Sequence, residues 1–268
     1  MSQSSVQTKT KEAREQHPAL ELTWKGLYRV AGISLILSGA GSFLSTIAGA
    51  TLYKAGYPST PESYLQLVSQ HQLLANFLWS WWMLGDFVLI APTIALYLVL
   101  RRYNRTLALL GTLIGGFYIF YDVAVTELNS LTLVSLAQSY ASATTDALKA
   151  SYVAAATYGY AALPLQTVLS FGVGSVGWLL WCVPMARSVF GKKTAAFGVV
   201  TNIVGIIGAA APVSSGAVSA TLGWFQFLAP PLIATWFIVV GYQLYRSRGR
   251  LSFMEGIGSA GSRPIIQP

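Results

Sequence analysis

Cysteine, histidine and charge are scarce in this 268-residue chain, which holds 1 Cys, 2 His and only 10% charged residues. The single cysteine, Cys182, excludes an intramolecular disulfide and any Cys-based zinc or iron–sulfur centre. His17 and His71 leave no material for a haem or a His-rich metal site, so neither a cofactor nor a metal is expected. An average soluble domain carries about 25% charged residues. At 10%, this chain cannot cover a water-facing surface in the usual way. Catalytic signatures are also missing: there is no HExxH, no Walker loop and no nucleophile elbow, and the glycine-rich patch Gly172, Gly174 and Gly177 falls inside an apolar span, where it reads as packing. The period-2 alternation of a membrane barrel does not occur.

What the chain does have is apolar length. Hydrophobic residues make up 54%, aromatics 13%, and there are 25 glycines. Six segments reach the roughly 20 residues that cross a bilayer: 28–52, 73–100, 106–126, 155–185, 194–213 and 225–245. The expected fold class is all-α, a polytopic membrane bundle of six transmembrane helices over 25–245. It stands between a polar tail, 1–24, and a basic tail, 246–268. The leader is too polar for a signal peptide and no small-residue cleavage site follows it, so the first span reads as a retained anchor. The tail is expected to be solvated, with a short interfacial helix at 19–28 as the alternative.

The basic residues give an orientation. Of the 17 Lys and Arg, all but Lys54 and Lys149 flank alternate ends of the spans: the N-terminal leader, RRYNR, ARSVFGKK and the C-terminal tail. Cytoplasmic segments carry the Lys/Arg excess. Both termini are therefore expected in the cytoplasm and the chain in the plasma membrane. The same placement accounts for the net charge of +8 beside anionic lipid, so no nucleic-acid partner is expected. The sequon at Asn104 falls in a tight cytoplasmic turn and reads as chance.

The two long connections lie on the other side. In 53–72, Pro58 and Pro61 make a turn and 63–72 a helix. In 127–154, Ser and Thr before Asp146 resemble a cap with a helix over 147–156. Small residues recur at helical spacing: Ser34, Ser38 and Ser42; Gly41, Ser45 and Gly49; Gly111 and Gly115; Thr201, Gly205 and Ala209. In lipid such rows mark close helix seams. They suit packing within one bundle or against a second copy. Trp79, Trp81 and Trp82 are expected to face lipid, with one ring turned to the core.

Intramembrane polar groups are the only candidates for chemistry. Asp86 lies 13 residues from either end of its span, roughly 20 Å and so near the midplane. Asp122 falls at similar depth on the next, antiparallel span. Glu127, Asn76, Asn202 and His71 complete the candidate cluster, with Asn129 and Gln166 as further uncharged donors. If both aspartates face the interior they can share a proton, hold a cation or act as acid and base. Otherwise Asp86 is a buried register-fixing residue bonded to Ser80, Tyr118, Tyr121 or an Asn.

The stretch ALYLVLRRYNRTLALL at 95–110, the acidic Asp86 before it, RVAGI at 29–33, YGY at 158–160 and GWLL at 177–180 resemble a prokaryotic multi-pass family known as domain of unknown function 4386. The likeness spans about 25–245 and implies six helices with no assigned activity. One departure stands out: the family pattern often has an Arg shortly after LALL, where this chain has Gly115-Gly116-Phe117, so an Asp86–Arg pair is not available. The leading expectation is an accessory or structural membrane protein whose partners are the bilayer and other membrane subunits or itself. A proton- or cation-coupled carrier using the carboxylates, or an intramembrane lipid-modifying enzyme, is the alternative.

Overall fold

The computed structural model describes the backbone of residues 3–54 and 56–261 and the side chains of 26–54 and 56–247. It is 89% helical, and among the described residues there are no strands and six helical segments long and apolar enough to cross a membrane. The helices are α1 (Gln3–Leu52), α2 (Pro61–Gln70), α3 (Gln72–Val88), α4 (Ile90–Leu100), α5 (Arg105–Tyr121), α6 (Leu128–Ser142), α7 (Asp146–Thr167), α8 (Val173–Met185), α9 (Gly191–Ala209) and α10 (Gly216–Gly261). Two π-helical turns, Asp122–Glu127 and Val168–Gly172, join α5 to α6 and α7 to α8 without a break. Side chains of the polar leader, and those of an interfacial helix at 19–28 as far as residue 25, lie outside the described residues, while Tyr28 is fully buried. The backbone of α1 is helical from Gln3 onward.

Local chemistry explains the element ends. Asn104 caps α5 by accepting from the Leu107 amide, which gives the residue of the sequon a structural role. Thr60 and Ser63 form a reciprocal capping box ahead of α2, with Pro61 at its first position. Thr145 caps α7 through the Leu148 amide. The break between α3 and α4 at Leu89 follows from Pro92, which has no N–H for the Val88 carbonyl and crowds it. Gly191, at φ 74°, makes the left-handed turn into α9.

The second long connection differs from expectation. The span that begins with α5 does not end at 126: it continues through the π turn and α6 to Ser142. A three-residue turn then leads directly into α7. The region 127–154 is thus a helical hairpin standing above the bundle, not a loop with one helix. Together with α2 it caps one end of the molecule. Tyr140 ties the cap together, accepting from Gln66 Nε2 at 3.2 Å and donating to Glu62 at 3.1 Å. Tyr64 is fully enclosed beneath α2, and that burial raises its hydroxyl pKa above the ordinary value.

Two apolar cores result. One fills the end of the bundle nearer the chain termini, with Tyr28, Leu96, Trp178, Trp181, Met185, Trp236 and Leu244. The other lies under the cap, with Tyr64, Leu65, Val68, Leu78, Leu133 and Ala137. Outward, α1 presents Val30, Ile33, Leu37, Leu44 and Ile47, a ridge suited to lipid chains.

The seams are only partly those expected. Gly111 of α5 meets α8: a Cβ there would fall 2.8 Å from the Gly177 carbonyl oxygen and closer still to Trp181. Gly205 packs on Ser175. Gly49, expected on a seam, has nothing within 4 Å. Gly41 of the same row does lie on a seam, under Trp81 of α3, and α1 also closes on α10, antiparallel, through Gly32 against Gly241 and Gly39 against Ala234.

Candidate functional site

Asp86 sits where the two cores meet, 2% exposed, on the face of α3 turned to α5. The Tyr118 hydroxyl of α5 donates to its Oδ1 at 2.7 Å. One turn further, Asp122 opens the first π turn, 6% exposed, and its carboxyl neighbours that of Asp86 where the π turn packs on α3.

The π turn adds a third acid. In an α-helix residues five apart point about 140° from one another. The i→i+5 hydrogen-bond pattern widens the turn so that such residues stack. Asp122 and Glu127 are five apart, and both are buried, with Thr126 between them in sequence. Asp86 Oδ2, Asp122 Oδ1, Glu127 Oε2 and Thr126 Oγ1 have no hydrogen-bond partner. Buried polar atoms of this kind are uncommon and costly. No Lys, Arg or His among the described residues lines the cavities around them. Nor do described His, Cys, Asp or Glu residues form a group that could hold a metal ion.

Three cavities with shared lining residues lie between the cap end of the bundle and this cluster. The first, about 460 Å³, lies between Tyr57, Tyr160, Pro212 and Ser219. Thr167 and Gln226 line both it and the second, of about 230 Å³, which holds Asp122, Thr126 and Glu127. Trp82, Tyr118, Phe171 and Pro230 line both the second and a pocket of about 20 Å³ beside Asp86, Ser38 and Ser42. That last space matches a single water. Beyond Leu89, Trp178 and Phe237 lies a space of about 10 Å³ among Trp181, Trp236, Leu96 and Val240, at the lower limit for a water. Aromatic rings pack on this side of the cluster, with Trp178 and Phe237 edge to face at 5.0 Å.

Other sequence candidates lie elsewhere. His71 is exposed at the junction of α2 and α3. Asn76 is half-buried and lines none of the three cavities. Asn202 is fully buried in α9, where Nδ2 donates to the Gly198 carbonyl at 2.8 Å. Asn129 bridges α6 and α7, donating to Gln166 at 2.9 Å and to the Gly159 carbonyl at 3.0 Å. The three tryptophans also correct the expectation. None is exposed: Trp79 and Trp82 line the acid cavity, and Trp81 packs over Gly41 and lines the Asp86 pocket. Thr126, Ser170, Thr167 and Gln226 join the site without having been singled out. The recurrence of Gln166 and Ser170 at i, i+4 was the one available sign of a polar face on the fourth span.

No family model matches the chain, and neither a curated protein nor a solved structure gives a match.

Proposed function

We propose that this protein is a membrane carrier that couples proton exchange at the Asp86–Asp122 pair to the passage of a small solute. The observation that supports it most is the series of cavities, with lining residues in common, between the cap end and the paired acids, with aromatic rings packed beyond them. We read it as a site open to one side, which is one state of an alternating-access cycle. The continuous π turns supply the deformable backbone such a cycle uses. The accessory-protein reading drawn from the sequence rested on missing chemistry, and it has no use for three buried acids lining neighbouring cavities.

Membership of the domain of unknown function 4386 family is part of the same proposal, supported by Asp86 and the ALYLVLRRYNRTLALL stretch. So is residence in the plasma membrane with both termini cytoplasmic, supported by the Lys/Arg asymmetry. A cysteine at Ser59 is then labelled from outside in intact cells. Labelling only after permeabilisation overturns that orientation.

The carrier reading is tested by infrared difference spectra of the purified protein between acidic and alkaline buffer. A carboxyl C=O band that titrates in the wild type and is lost in Asp86→Asn or Asp122→Asn supports it. Both variants should also fail to complement a deletion strain. Full complementation by both, with no titrating band in the wild type, overturns it.

A further inference from the structure

The 230 Å³ cavity has a chemical character of its own. Its acceptors are Asp122 Oδ1, Glu127 Oε2 and Thr126 Oγ1, each on a residue at least nine-tenths buried and each without a donor. Aromatic rings of Trp79, Trp82, Tyr118 and Phe171 share the rest of its wall with the polar Thr167, Ser170 and Gln226. We infer that this cavity binds a primary organic ammonium, the charged nitrogen among the three acceptors and the hydrocarbon part against the rings. This rests on reading the cavity as a solute path, and it specifies the solute.

Three features carry the assignment. An ammonium brings three N–H donors, equal in number to the unpartnered acceptors, and charge-assisted bonds to carboxylates are the strong ones. Indole and phenol faces attract a cation once water is displaced. The volume also fits: an apolar cavity of about 150 Å³ accommodates benzene, so about 230 Å³ holds one ring with a short aminoalkyl chain. The wider cavity at the cap end, joined through Thr167 and Gln226, gives such a molecule an entrance. A bare metal ion suits the site less, because the acids do not form a metal-binding group among the described residues.

The test uses the full chain in detergent micelles, with Trp79 and Trp82 as intrinsic fluorescent reporters. The probes are 2-phenylethylammonium, its N-trimethyl analogue and 2-phenylethanol. The primary ammonium should quench saturably. Both analogues should bind at least about tenfold more weakly, since one lacks N–H donors and the other lacks charge. Thr126→Val and Glu127→Gln should each weaken the ammonium by about tenfold. Equal affinity for all three probes, or no binding of any, overturns the inference, and this comparison needs no variant to fold. The infrared titration separates the two proposals. Absent ammonium binding with an intact titrating band removes the ligand class alone. Saturable binding without a titrating band removes the carrier and keeps the ligand.

Discussion

The hydroxyl of Tyr118 donates a 2.7 Å hydrogen bond to Oδ1 of Asp86 across 32 residues of chain, joining α3 to α5 at the junction of the two apolar cores. The bond orients the carboxyl so that its second oxygen remains available to Asp122 or to a ligand. Tyr118 also packs edge to face on Trp178 at 5.2 Å, so the residue that holds the acid belongs to the packed rings beyond it as well.

Tyr118→Phe keeps the ring and removes the donor. It should lower stability by about 1–3 kcal/mol, the cost of leaving a buried acceptor unpaired. Asp86→Asn should melt close to the wild type, because the amide oxygen still accepts from Tyr118. Asp86→Leu should melt lower, since it strands the Tyr118 hydroxyl. Thermal melting in detergent orders the variants, and an Asp86→Leu protein as stable as Asp86→Asn contradicts the role given to this bond.

The α1–α10 seam predicts opposite effects for chemically identical substitutions. A Cβ on Gly32 would lie 2.8 Å from the Gly241 carbonyl oxygen, and one on Gly241 would lie 2.7 Å from that of Gly32. Either alanine must push the helices apart, which in packed interiors costs about 1–3 kcal/mol. Gly49→Ala meets nothing within 4 Å and gains up to about 1 kcal/mol of helix propensity. Melting temperatures should fall for the first two and hold or rise for the third.

Between α5 and α8 the discrimination is finer. Gly111→Ala would drive a methyl to 2.5 Å from Trp181, and Gly177→Ala to 2.9 Å from the Gly115 amide nitrogen. Gly115→Ala places its methyl 3.7 Å from Trp181, ordinary contact. The first two should destabilise and the third should be tolerated, by the same melting measurement. Equal losses at Gly111 and Gly115 would mean that the helices pack in another register.

The π turn is testable by deletion. Removing the exposed Val125 lets 122–127 close in the α register, while the flanking helices keep their phase. Helix content should be unchanged by circular dichroism. Glu127 then follows Asp122 by four residues, which keeps both acids on one helix face, so ammonium binding and the infrared titration should persist. Loss of binding in this variant would show that the wider π register itself, and not the stacking of the two acids, shapes the site.

Much of the architecture was legible because bilayer crossing is a one-dimensional property. Hydrophobic length locates the spans, and the position of Asp86 within its span locates its depth. The tight RRYNR turn makes the next span an antiparallel neighbour, so Asp122 at matching depth was visible as a partner. The Thr145 cap and the turn before α2 were readable because capping is local chemistry. Glu127 was placed in the cluster by proximity alone. Its rotation onto the face of Asp122 depends on a hydrogen-bond register that residue types do not announce. Asn76, Asn202 and His71 resemble Asp86 as intramembrane or interfacial polar residues, yet their helix phase turns them elsewhere.

By itself, then, the sequence determined the number of spans, their order, the alternation of basic flanks and the depth of the acids, since each depends on spacing along the chain. Only the tertiary structure decided that α1 closes on α10 through Gly32 and Gly241, that α6 and α7 rise as a hairpin, and that three tryptophans turn inward. It alone set Asp122 and Glu127 in one cavity and Asp86 in a smaller one that shares part of its wall. Lipid is as apolar as a helix flank, so hydrophobicity does not choose which faces meet inside a membrane. That choice falls to shape, in the glycine contacts, and to hydrogen bonding, in the Tyr118–Asp86 pair, and both exist only once the helices are side by side.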